Sequence, residues 1–164
     1  MVSKQANDNW VLGEPKKFFI SFKELGGHDL ANSLYDYLKG CHVDVFISDR
    51  NLQYDMNQGT WREQIDRALE VTNVFILIIT PTASRSSEVI REFKQVINRN
   101  DVKKYILIHE KLWSDQNQTT IQLTNEERVN LKTFHAVKFE NRDDLVRNVY
   151  SAVPIIAKIE FREN

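Results

Sequence analysis

The stretch that most constrains this chain is Val74 to Ile79, six consecutive apolar residues bounded by Asn73 and by Thr80-Pro81. A strand with one wetted face alternates apolar and polar side chains. An unbroken apolar run of this length suits a strand buried on both faces, the situation of a parallel sheet covered by helices on either side. The flanking sequence agrees. Phe18-Phe19-Ile20 forms an earlier short run, and Val43, Val45, Phe46 and Ile47 form another. Tyr105 to Ile108 reads as a fourth strand, and Phe134 to Phe139 as a fifth and more exposed one. Between them lie stripes at helical spacing. Leu30, Leu34 and Leu38 form one, ended by Gly40; Trp61, Ile65, Ala68 and Leu69 form another, with Trp61 read as core. Val89, Ile90, Phe93, Val96 and Ile97 form a third, and Leu145, Val146, Val149 and Val153 a last one, broken by Pro154.

Strands that alternate with helices predict an α/β fold with a parallel sheet. With five strands and right-handed crossovers, the expected topology is flavodoxin-like, order 2-1-3-4-5, with helices on both faces. Ligands bind such sheets beyond the carboxyl ends of the strands. That selects the loops Phe22 to His28, Ser48 to Gly59, Thr80 to Ser87, and the irregular polar stretch after His109. Cap signals mark the helix starts. Thr60 and Glu63 form a T-x-x-E pair, Ser84 to Ser87 offers hydroxyl caps, and Asn141 opens the last helix. Thr124 and Glu127 repeat the T-x-x-E spacing and predict a further short helix. Met1 to Pro15 is polar and aperiodic and reads as a flexible leader. Residues 16–164 form one domain.

Composition narrows the function. The chain has 164 residues, 41% hydrophobic and 27% charged, which suits a soluble globular domain. Lys+Arg 22 against Asp+Glu 23 argues against neutralising nucleic-acid phosphates. No apolar run nears the roughly 20 residues of a membrane helix. One cysteine, Cys41, forbids an internal disulfide and a Cys-rich metal site. There is no signal-peptide core, so the expected location is the cytoplasm. No phosphate-binding glycine loop is present, Gly26-Gly27 being only a turn pair, and neither HExxH nor Gly-x-Ser-x-Gly occurs. His28, His42, His109 and His135 are scattered. No metal and no resident cofactor is expected.

Four segments taken in order resemble a TIR domain, the Toll/interleukin-1 receptor module. Phe19-Ile20-Ser21-Phe22 resembles the family's first box, and Asp29 is placed where the following helix begins. Val45-Phe46-Ile47 with Asp49, Leu52, Gly59 and Trp61 resembles the second box and its long BB loop, here Ser48 to Gly59. Ile76 to Pro81, then Ser86-Ser87 and Glu92, resembles the third strand, its loop and the helix that carries the family's acid. The BB-loop proline and aromatic third box of animal receptors and adaptors are not evident, so the resemblance points to a microbial type.

Many TIR domains cleave the nicotinamide–ribose bond of NAD, and the resemblance implies that activity here. NAD is then substrate, not cofactor. Glu92 matches the family's catalytic glutamate, five residues beyond Ser87. At about 100° per residue it lies about 100° from Phe93, at the edge of the apolar face, where a side chain can line a cleft. The resemblance implies substrate-binding positions at Phe22, Lys23, Ser86, Ser87 and Trp113. It also implies homotypic self-association, with the BB loop and neighbouring subunits completing the site, and a role in defence or signalling. Two departures stand out: Glu88 occupies a position where catalytic relatives often carry Trp, and Glu24 replaces a second basic residue. They keep open a non-catalytic homotypic module, and a domain that binds a cyclic nucleotide without turnover remains a further alternative.

Overall fold

The computed structural model describes residues 17–41, 43–47 and 59–152. The leader read over 1–15, most of the BB loop, His42, Val153 and Pro154 lie outside the described residues. Within them the chain runs β1 (Lys17–Ser21), α1 (Glu24–Gly40), β2 (Asp44–Phe46), α2 (Trp61–Glu70), β3 (Val74–Ile79) and α3 (Ser87–Val96). Then come β4 (Lys103–His109), β5 (Thr120–Gln122), β6 (Arg128–Asn130), β7 (His135–Phe139) and α4 (Arg142–Ala152).

The main sheet has five strands in the order β2-β1-β3-β4-β7, all parallel. This is the expected 2-1-3-4-5 topology, with the fifth sheet strand seventh in the chain. Every residue of β3 is buried. Its alternate side chains feed two cores. Val74, Ile76 and Ile78 pack with Leu34 and Leu38 of α1 and with Leu145 and Val149 of α4. Phe75, Leu77 and Ile79 pack with Leu69 of α2 and with Val89, Phe93 and Val96 of α3. Phe19 stacks between Phe46 and Phe75 across this second layer, at centroid separations of 5.3 and 5.8 Å.

The structure corrects three sequence expectations. Thr124 and Glu127 open no helix: the Thr124 hydroxyl accepts from the N–H groups of Glu126 and Glu127 in the turn of an antiparallel β5–β6 hairpin. A hydroxyl bonding the backbone two and three residues on serves a turn as well as a cap. Ile121, Leu123 and Leu131 decide the outcome by burying against the second core. Helix α1 begins at Glu24, not Asp29, so the glycine pair lies in its first turn. Gly26 takes φ +89 there, a backbone state that costs glycine little. Trp61 is not core, because it is 53% exposed. The buried stripe of α2 stops at Gln64, Ile65 and Leu69, one turn short of the helix's first residue.

Thr60 caps α2 as its spacing predicts. Its hydroxyl accepts from Glu63 N–H at 3.1 Å, and the Glu63 carboxylate accepts from Thr60 N–H at 2.7 Å. Thr60→Ala is expected to cost about 1 kcal/mol. Urea unfolding reads this as a lower midpoint at constant slope, and an unchanged midpoint would show that the box contributes nothing.

Candidate functional site

Two features of the topology converge at one end of the sheet. The chain leaves β1 for β2 on one side and then crosses back to β3 on the other. The carboxyl ends of β1 and β3 therefore flank the switch point where open α/β sheets hold ligands. Ser21 ends β1 and Thr80 follows β3. Ser21 lies two residues beyond Phe19, so strand alternation turns it toward the layer that contains α3.

There it meets Glu92. The Ser21 hydroxyl donates to Glu92 Oε1 at 2.6 Å, and both residues are buried, Glu92 at 7% exposure. Val89, Phe93 and Val96 anchor the helix beneath it. Burial pushes the Glu92 carboxyl up to about 7; the Ser21 hydrogen bond opposes this, and the charge of Glu88 adds to it. Glu88 itself is exposed and paired with Arg62 of α2 at 3.2 Å. Its carboxylate is thus engaged across the α2–α3 groove.

The other expected positions fall around the same edge. Lys23 follows β1, and its ammonium donates to the Thr82 hydroxyl at 2.6 Å, linking the β1 and β3 loops. Thr82 holds φ 66, an uncommon state for a β-branched residue and a local store of strain. Its N–H donates to Gln118 Oε1 at 2.7 Å, which tethers the turn to the segment before β5. Phe22 is half-buried against the first core. Ser86 is the N-cap of α3, accepting from Val89 N–H at 3.5 Å, and Ser87 is the exposed first residue of that helix. Trp113 stands apart from this group. It packs against the second core, with the Lys132 and Lys138 ammoniums 5.0 and 5.5 Å from its ring centre.

Two participants are not marked as site residues by the sequence. In the sequence Ser21 is a polar residue closing an apolar strand, inside the segment that resembles the first box, with nothing to pair it with Glu92. Thr80 is 3% exposed, and its buried hydroxyl finds no hydrogen-bond partner among the described residues. A buried polar group without a partner is uncommon enough to require explanation. It lies 3.9 Å from where a Cβ on Gly26 would sit, beside the start of α1. That helix has no side-chain cap, so its first N–H groups and positive dipole end face the same edge. The constellation offers a buried carboxylate, a cation, an uncapped helix start and an orphan hydroxyl.

A family model described as TIR domain matches residues 18–148. The chain belongs to the TIR-domain family. Among curated proteins none matches. A solved metazoan TIR-STING receptor from C. gigas, in complex with 2',3'-cGAMP, is similar at TM-score 0.52 and 15% identity. The likeness covers 80% of this chain and 38% of that receptor, and it bears on the fold. A diflavin flavoprotein A3 from Nostoc sp. is similar at TM-score 0.44 and 9% identity, over 93% of this chain and 99% of that one.

The state of Glu92 sets a stability signature. Its folded pKa lies above the unfolded value, so its contribution is fully present below the unfolded pKa and is lost as pH rises through about 7. Glu92→Gln removes that loss. The variant is expected to match wild type near pH 4.5 and to exceed it by roughly 3 kcal/mol at pH 8, read from urea unfolding. A difference that does not grow with pH would mean that Glu92 is not the group held protonated.

Proposed function

We propose that this chain is a TIR-domain NAD+ nucleosidase that cleaves the nicotinamide–ribose bond, with Glu92 as its catalytic carboxylate. The observation that carries this reading is the buried Ser21–Glu92 pair at the sheet's switch point. Most glycosidases use two carboxylates, because the leaving oxygen must be protonated. The nicotinamide of NAD leaves as a neutral base from a cationic ring, so no acid is required. The C1'–N1 bond breaks, its electron pair stays with the nicotinamide nitrogen, and positive charge develops on the ribose. A carboxylate fixed beside that ribose stabilises the charge without reorganising, and low surrounding polarity strengthens the effect. Water then attacks C1' and loses a proton to give ADP-ribose, or the substrate's own adenine nucleotide portion captures C1' to give a cyclic isomer.

In this reading the rest of the edge binds the nucleotide. Lys23, the uncapped start of α1 and the Thr80 hydroxyl suit the diphosphate, since backbone N–H groups and a cation favour anions. Ser86 and Ser87 lie at a second helix start, where the Ser86 side chain already takes one N–H. Phe22 supports the loop that carries Lys23. Trp113 contributes to a neighbouring copy's site when TIR domains self-associate. The setting is cytoplasmic defence or signalling, on the strength of the family resemblance.

The direct test follows nicotinamide release from NAD at high protein concentration and under induced clustering. Wild type is expected to release it, and Glu92→Ala to lose at least a hundredfold, about 2.7 kcal/mol of transition-state stabilisation. No release even when clustered would favour a non-catalytic homotypic module. Release that survives the substitution would place the catalytic acid elsewhere.

The pH profile tests the Ser21 contact separately. Only the carboxylate form stabilises a cation, so kcat/KM rises with pH and levels off above about 7. Ser21→Ala removes the hydrogen bond that lowers the Glu92 pKa, so the acid limb moves to higher pH. The defect is expected to deepen at low pH and close at high pH; a uniform loss at every pH would contradict this role.

A further inference from the structure

On the flank of α3 away from Glu92 lies an open cavity of about 390 Å³, lined in part by Arg85, Ile90, Asn117, Thr120 and Arg128. Ile90 and Glu92 are about 200° apart around the helix, so this cavity and the Glu92 edge use opposite sides of α3. We propose that the cavity is a second binding site, which takes a phosphate-bearing small molecule between Arg85 and Arg128.

Arg62, Arg91, Arg99 and Arg147 each meet a carboxylate. Arg85 and Arg128 meet none among the described residues, and no carboxylate lines the cavity. Two arginines that line one cavity repel each other until an anion lies between them. A lining without Asp or Glu offers nothing to a metal cation. Its arginines, carboxamide and hydroxyl suit phosphate oxygens, which guanidinium groups bind in bidentate fashion. The Asn117 carboxamide and Thr120 hydroxyl also take no partner from the described residues. The volume falls within the roughly 300–1,000 Å³ of small-molecule sites.

The walls are held apart from the ligand. The Ser84 hydroxyl donates to the Asn117 carbonyl at 3.2 Å, and Gln118 receives Thr82 N–H, so the turn before α3 and the approach to the hairpin are already joined. Arg85 extends from that turn, and Arg128 opens β6, paired with Gln122 of β5, the strand that follows the joined segment. Little ordering is left for binding to supply, which favours affinity.

Backbone amide NMR titrations with inorganic pyrophosphate, and separately with ADP, test the site at low ionic strength. Saturable shifts are expected at Ser84, Arg85, Thr120 and Arg128. Arg85→Ala and Arg128→Ala, both at exposed side chains, should each weaken binding at least tenfold at these residues, while Lys39→Ala, exposed in the last turn of α1 in the other layer, leaves it unchanged. Tighter binding of ADP would mark a nucleotide site and tighter binding of pyrophosphate an inorganic one, and either result supports the proposal. Shifts confined to the Lys23 and Ser21 edge, equal affinity in the arginine variants, or no saturable shift would overturn it. None of these outcomes depends on NAD cleavage, so the two readings fail separately.

Discussion

Burial of β3 on both faces is the constraint from which the remaining architecture follows. Its six side chains divide between two cores, one closed by α1 and α4 and the other by α2 and α3. No face is left to water, so helices must cover both, and parallel strands need crossovers long enough to supply them. The hydrophobic effect thereby sets the position of the site. Because the crossovers diverge on either side of β1 and β3, their loops gather at one edge, where Ser21, Lys23, Thr80 and Thr82 meet.

Against that apolar frame, the Ser21–Glu92 pair is an expense. A carboxylate removed from water is disfavoured in its charged form, and one hydroxyl offsets only part of this. Thr82 adds strain in the same region, and Thr80 adds an unpartnered hydroxyl. A chain selected for stability alone would place apolar residues at 92 and 80 and a glycine at 82. Polar groups left short of partners at the edge proposed to bind the nucleotide are what a site ready to receive polar groups requires. The stability cost and the proposed chemistry share one cause, the low polarity around Glu92.

Much of this was legible along the chain, for local reasons. The unbroken run at 74–79 and the stripes at 30–38 and 89–97 record burial directly, since side-chain period follows secondary structure. The Thr60 box also acted as read. Elsewhere the same local chemistry served two structures. Thr124 and Glu127 carry the spacing of a cap, yet the hydroxyl closes a hairpin because Ile121 and Leu131 have a core to enter. Gly26-Gly27 reads as a turn, and one glycine does take a turn-like φ, but inside the first turn of α1. The Trp61 stripe showed a helix face without showing where the core beneath it ends.

By itself the sequence determined the parallel α/β class, the strand order, and the place of Glu92 on the helix after the buried strand. These depend on residues within a few turns of one another. Only the tertiary structure decided that Ser21, 71 residues earlier, is the partner of Glu92, and that Thr80 has no partner. It also brought Arg85 and Arg128 to one cavity. The reason is physical: hydrogen bonding and desolvation act between groups adjacent in space, and periodicity along a chain carries no record of which distant groups those will be.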